Sequence, residues 1–315
     1  MPLTDCPAHT ELFMKLLTTI PFLLLLYSCE PAPMPGPEAP VLTSTTTIGI
    51  TKSWPQEPSG FTYPISVRLP SVTMPEEGFP VCILLHGNGG TGAQILSQFS
   101  IILDDHILVA PEGYQNSWNL CAETSDAPDI EMVNDLIDSL QTYSNVNPQN
   151  IRILGISNGA GLANSVWIEH TNEGVDIVCA IVSHLNEPQF HSDAFHRIGS
   201  RTDPGVDYCG YQEEAQPIST RKYLSISNEN DPIIPYEGGS SAVGINFLPA
   251  EEAIYVIAQY QGSSEGRISG PGMSIGSPEI HEYAYLSGQV VHIRGQARHG
   301  LNSTQISYIQ SFFSN

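Results

Sequence analysis

The stretch 153–163 reads ILGISNGAGLA: a serine enclosed by glycines, between an apolar run and a helix-like segment. Its meaning decides the fold. If residues 151–154 (IRIL) form a buried strand and 160–170 (AGLANSVWIEH) a helix, Ser157 lies at a sharp strand-to-helix turn. Backbones crowd at such a turn, so the positions two before and two after must be small, and Gly155 and Gly159 fill them. The turn exposes the hydroxyl at the carboxyl edge of a sheet, beside a helix N-terminus whose dipole favours developing negative charge. A plain glycine-rich turn is the competing interpretation, and the motif alone does not separate the two.

The surrounding pattern supports a sheet. Short apolar runs recur at 63–69, 81–85, 107–110, 151–154, 178–182, 223–227 and 290–293. All but the first are continuous, as expected of strands covered on both faces. Helical patterns occupy 129–143, 160–170 and 303–313, the last with Ser303 as its expected N-cap. Strands alternating with helices predict an α/β fold with a mostly parallel central sheet. The polar segment 184–217 is expected to form loops or a small inserted cap beside the site. It contains His184, His191 and His196, but no carboxylates or cysteines at ligand spacing, so neither a metal nor another cofactor is expected.

Three further features fall in the order that acyl transfer needs. VCILLHGNGGTG (81–92) ends a strand in a glycine-rich loop, where backbone amides can approach an oxyanion. The expected donors are at Asn88–Gly89 and at Asn158, the residue after the serine. The loop lacks the Gly-Lys-Ser/Thr ending of a phosphate loop and the GxGxxG spacing of a dinucleotide site. Asp231 follows the strand at 223–227, and His299 lies between the last strand and the last helix, giving the order Ser, Asp, His. Alone, Asp231 reads equally as a turn-forming Asp-Pro and His299 as a surface histidine. Trp118, in NSWN, is a candidate for the acyl pocket or for ordinary core packing.

The amino-terminal region reads as an export signal. MKLLTTIPFLLLLYSC (14–29) is a charged start and an apolar run ending at Ser28–Cys29, too short to span a bilayer. Residues 1–28 are therefore expected to be a signal peptide, with Met14 a candidate start. Leu26 and Ser28 fit a lipoprotein cleavage box and Tyr27 departs from it. Cys29 is then expected to carry lipid, giving an envelope protein that touches membrane only through that anchor, or else a secreted one. EPAPMPGPEAP (30–40) reads as a Pro-rich tether covering 29–45, with the α/β domain from 46 to 315. Export permits a disulfide between the loop cysteines Cys121 and Cys209, while Cys82 and Cys179 lie in apolar runs as free thiols. With 33 acidic and 11 basic residues the net charge is −22, which repels nucleic-acid backbones.

LLHGNGG (84–90), APEGYQNSWN (110–119), GISNGAG (155–161) and NDPIIPYEGG (230–239) together resemble the secreted polyhydroxybutyrate depolymerase and feruloyl esterase group of α/β hydrolases, lipoprotein-type members above all. The likeness extends over most of 60–315. It implies a metal-free serine carboxylesterase acting on small, phenolic or polymeric esters, with Ser157 as nucleophile, His299 as base and Asp231 as acid. Two stretches depart from that group. Ser227-Asn-Glu-Asn230 stands where its members often have His-Gly-Thr, and Gly300-Leu301-Asn302 where they often have a tryptophan. A peptidase on the same fold is the nearest alternative, disfavoured because no propeller or large second domain restricts access. A catalytically inactive, surface-tethered glycan-binding lipoprotein is the alternative from another class.

Overall fold

The computed structural model describes residues 39–199 and 202–314. The expected signal peptide, Cys29 and most of the tether lie outside these residues. The tether's expected end at 45 does not hold: Leu42 is fully buried. Its N–H donates to Asn145 Oδ1 (2.8 Å) and its carbonyl accepts from Asn145 Nδ2 (2.9 Å), so the chain is already fixed there.

A hairpin of β1 (Thr51–Trp54) and β2 (Glu57–Thr62) leads into β3 (Ile65–Arg68), β4 (Phe79–Leu85) and β5 (Ile107–Pro111), with α1 (Gly92–Phe99) between the last two. Then come α2 (Asp129–Leu140), β6 (Val146–Ile156), α3 (Asn158–Glu169) and β7 (Val175–Ile181). An antiparallel trio follows, β8 (Phe190–His191), β9 (Ala194–Ile198) and β10 (Tyr211–Ala215), before β11 (Lys222–Asn228). The short β12 (Gly239–Ser240) and β13 (Asn246–Phe247) precede α4 (Ala250–Tyr260). Last are β14 (Met273–Ile275), β15 (Ser277–Tyr285), β16 (Val290–Gly295) and α5 (Ser303–Phe313).

Nine strands form one sheet in the order β14-β15-β16-β11-β7-β6-β4-β5-β3. The run from β16 to β5 is parallel, and both edges are antiparallel. Every residue of β5 is buried and β4 is nearly so, which explains their unbroken apolar sequences. Alternate residues feed two layers: Val81, Ile83 and Leu85 join one core cluster, Cys82 and Leu84 the other. Cys82 and Cys179 are buried free thiols.

The segment 184–217 is an insert that carries the β8–β10 sheet, tied to the body where Asn186 bridges Phe247. The N-cap of α5 is Asn302, not Ser303. Asn302 accepts from the Gln305 N–H and Gln305 reaches back to the Asn302 N–H, a reciprocal box that Ser303 cannot make from one position later.

Candidate active site

Ser157 sits between β6 and α3 with φ 53° and ψ −118°, outside the regions a non-glycine residue ordinarily occupies. Such a conformation costs about 1–3 kcal/mol and must be held from outside. Its N–H donates to the Ile181 carbonyl (2.8 Å), and its own carbonyl accepts from Ala160 (2.9 Å) and Gly161 (3.0 Å) at the helix start. A Cβ at Gly155 would stand 2.0 Å from the Gly159 carbonyl oxygen, and one at Gly159 only 2.1 Å from that of Leu85. Both glycines are therefore demanded by close backbone approach.

Ser157, His299 and Asp231 form one hydrogen-bonded line. Ser157 Oγ lies 2.8 Å from His299 Nε2, and His299 Nδ1 lies 2.7 Å from Asp231 Oδ2. A carboxylate only accepts, so Nδ1 carries the proton and Nε2 is left to receive one from the serine. The Asp231 side chain is 2% exposed and that of His299 20%. Burial pushes the Asp231 carboxyl up. Hydrogen bonds from His299 and from the Ile233 and Ile234 amides outweigh it and hold the group below the usual carboxylate range.

The acid and base loops are stitched together by two asparagines. Asn228, fully buried, donates to the Arg298 (2.8 Å) and Gly300 (2.9 Å) carbonyls and accepts from the Ala297 N–H (3.1 Å) and Gln305 Nε2 (2.9 Å). Asn230 donates to the Gln296 carbonyl (2.9 Å) and accepts from the Arg298 N–H (2.7 Å). Both lie in the stretch that departs from the resembled family. Two other carboxylates that follow Ser157 in the sequence are engaged elsewhere: Glu229 with Arg294 and Gln296, and Asp203 with the Gly205 N–H of its own turn.

The glycine-rich loop lies against Ser157 and Asn158, but not with the donors expected. The Gly89 N–H is committed to the Asn116 carbonyl (2.8 Å) and the Gly90 N–H to that of Gly87 (2.9 Å). Gly89 therefore has no amide to offer an oxyanion. The Asn88 and Asn158 amides make no hydrogen bond among the described residues, and both residues line the cavity at Ser157. The buried His86 ring braces the loop: Nδ1 bonds the Gly87 carbonyl (2.8 Å) and Nε2 accepts from the Gly113 N–H (3.0 Å). Burial holds its pKa below the usual value, in keeping with a neutral ring that donates once and accepts once.

Trp118 does not line the acyl pocket. It is fully buried beneath the loop, its indole N–H donating to the His86 carbonyl (2.7 Å) and its ring against that of His86. The pocket is a cavity of about 310 Å³ with an apolar wall from Leu120, Ile234, Val243, Ile245 and Phe247. Its polar lining includes Glu123, Ser183 and Asn186, none singled out by the sequence, because neither motif nor periodicity marks them. Cys121 and Cys209 are joined in a disulfide, which fastens the 120–124 loop to the insert. His184 bonds Ser227 and the Leu248 carbonyl, whereas His191 and His196 stack on one another, so the three histidines do not converge. Among the described residues no group of three or more His, Cys, Asp or Glu is placed to hold a metal ion.

No family model matches the chain. "Putative esterase NocK" of Nocardia uniformis subsp. tsuyamanensis is 23% identical over 175 residues, covering 53% of this chain and 44% of that protein. The chain thus matches less than half the length of this relative. Among solved structures, the Bacillus cereus carboxylesterase is 14% identical, with a TM-score of 0.49 over 80% of this chain and 93% of that one. A phospholipase/carboxylesterase from Dyadobacter fermentans gives 14% and 0.49 over 80% and 97%. Likenesses this distant carry no chemistry across. The strand order, the strained serine between strand and helix, and the chain order Ser, Asp, His give the chain the α/β-hydrolase fold.

Proposed function

We propose that this protein is a serine carboxylesterase working through an acyl-enzyme. The observation that carries the reading is the hydrogen-bonded line from Ser157 through His299 to Asp231, assembled across sequence separations of 142 and 68 residues. Ser157 Oγ attacks the ester carbonyl carbon while its proton passes to His299 Nε2. Asp231 holds the ring and stabilises the imidazolium. The tetrahedral oxyanion takes the Asn88 and Asn158 N–H groups, a contribution of about 3 kcal/mol per donor in comparable sites. The ester C–O bond then breaks and His299 protonates the departing alkoxide. Water, deprotonated by the same ring, attacks the acyl carbon, the bond to Ser157 Oγ breaks, His299 returns the proton to that oxygen, and the acid leaves.

The substrates are small, phenolic (feruloyl-type) or polyester esters, a choice that draws on the sequence resemblance. Export and lipidation at Cys29 belong to the same reading, supported by the sequence of 14–29 and in keeping with the Cys121–Cys209 disulfide.

The deciding experiment is labelling with a fluorophosphonate probe beside turnover of p-nitrophenyl acetate, methyl ferulate and polyhydroxybutyrate. Wild type should label and turn over. Ser157→Ala should do neither, losing on the order of 10⁴-fold or more in kcat. Turnover by that variant within tenfold of wild type would sink the assignment.

A further inference from the structure

We propose that Glu123 sets the charge selectivity of this site, admitting neutral and cationic esters and discriminating against those with a negative charge near the ester bond. The inference rests on the esterase reading above and deepens it. Among the described residues that line the cavity at Ser157, Glu123 is the one with a charged side chain. Its carboxylate is fixed there by three donors. Oε2 accepts from the Leu120 (3.0 Å) and Cys121 (2.7 Å) amides, and Oε1 from Asn158 Nδ2 (3.0 Å). Asn158 adjoins Ser157, so the carboxylate bonds the side chain of the reacting serine's immediate neighbour. The disulfide at Cys121 anchors the loop that carries it.

The remaining lining is neutral. Ser183 and Asn186 are polar, the opposite wall is apolar, and among the described residues no lysine, arginine or histidine lines the cavity to offset the charge. A substrate carboxylate seated there faces like charge in a partly desolvated space, where Coulomb repulsion is screened far less than in bulk water. An ammonium or hydroxyl instead meets carboxylate lone pairs left over from the three bonds. The overall charge of −22 acts in the same direction, but its distant members are screened beyond about 10 Å at ordinary ionic strength. A carboxylate that merely braced the loop would leave the preference among charged substrates unmoved on substitution.

The test compares kcat/KM for ethyl pentanoate, monoethyl glutarate and ethyl ω-trimethylammoniopentanoate, followed by proton release. A parallel series places the charge on the alcohol. Wild type should prefer the neutral and cationic esters over the anionic one by at least about tenfold in one series, equivalent to about 1.4 kcal/mol. Glu123→Gln should reduce that ratio at least about fivefold, whatever it does to absolute rates. Glu123→Asp should keep it, and Glu279→Gln, an exposed change on β15, should leave it as in wild type. If Glu123→Gln fails to fold, Thr124→Lys places a positive charge on the same lining and must raise relative turnover of the anionic ester. An unchanged ratio in Glu123→Gln, or in Thr124→Lys where that stands in for it, overturns the inference alone. Failure of wild type to hydrolyse any of these esters fells the esterase reading, and this inference with it.

Discussion

The two sides of the catalytic line are held by different physics. On the serine side, backbone approach does the work: Gly155 and Gly159 let β6, α3 and the end of β4 come within distances that a methyl group would occupy. On the other side, Asp231 and His299 are 68 residues apart in sequence, and side-chain amides clamp their loops together. Asn228 alone makes four bonds to the base loop and the start of α5. Sterics of this kind are local and tolerate nothing. A clamp of hydrogen bonds is distributed, and its members fail in degrees.

The comparison breaks first at Gly159. An added Cβ meets the Leu85 carbonyl oxygen at 2.1 Å and that of His86 at 2.5 Å, both backbone atoms that cannot swing aside. Gly159→Ala should destabilise by about 3 kcal/mol or more and abolish measurable turnover, because the turn presenting Ser157 must open. Thermal melts and ester assays check both. A variant that melts and turns over like wild type would show that the elbow is looser than this geometry requires.

Asp231→Asn should come next. Asparagine can present an N–H where the ring needs an acceptor, favouring the wrong tautomer, a change that costs about 10⁴ in kcat in serine proteases. The expectation here is at least a hundredfold loss in kcat with little change in KM, while Glu229→Gln stays within tenfold. If Glu229→Gln is crippling and Asp231→Asn is not, the acid lies two residues away.

The same contrast explains what was legible in the sequence. Gly155, Ser157 and Gly159 are read at fixed spacing because local sterics write themselves into adjacent residues. Six of the seven apolar runs correspond to central strands, because burial on both faces removes polar residues from them, and the first, 63–69, is the half-buried edge strand β3. Asn228 and Asn230 carry no such signature. Their partners lie about 70 residues away, and the stretch reads only as a departure from a resembled pattern. Strand β15, at 277–285, escapes because it lies next to the sheet edge and mixes Glu and His with Tyr. The insert strands escape because their pairing is mutual and their sequence polar. Helix α4 is different: Ala250, Ala253, Ile254, Ile257 and Ala258 repeat at helical spacing, a signal that the sequence does carry. The Gly89 amide could not have been excluded from sequence, since its acceptor is the Asn116 carbonyl of a separate loop.

Asn228→Ala tests the clamp directly. It strands the Arg298 and Gly300 carbonyls, the Ala297 N–H and the Gln305 amide, some in buried surroundings. A buried unpaired polar group costs about 1–3 kcal/mol, and partial relaxation limits the sum. We expect roughly 3 kcal/mol of lost stability, a Tm lower by about 6–12 °C. In the folded fraction kcat should fall about tenfold with KM nearly unchanged, because the reacting groups remain but their alignment loosens. Full retention of kcat would mean that Asp231 and His299 are aligned without the clamp.

The smallest effect concerns proton linkage at Asp231. Its folded pKa lies below the usual carboxylate value, since the His299 bond and the Ile233 and Ile234 amides outweigh burial. For a depressed acid the sign is fixed: folding favours the ionised form, so the stabilisation is complete above the unfolded value near pH 4 and is lost as pH falls through the folded value. A protonated Asp231 then resembles the asparagine of Asp231→Asn in charge. The stability gap between wild type and this variant should therefore be widest in neutral solution and close as pH falls below about 4. Urea melts of both proteins across that range measure it. A gap that widens on acidification would mean that the folded protein holds Asp231 protonated, and such a group could not stabilise the imidazolium that attack by Ser157 creates.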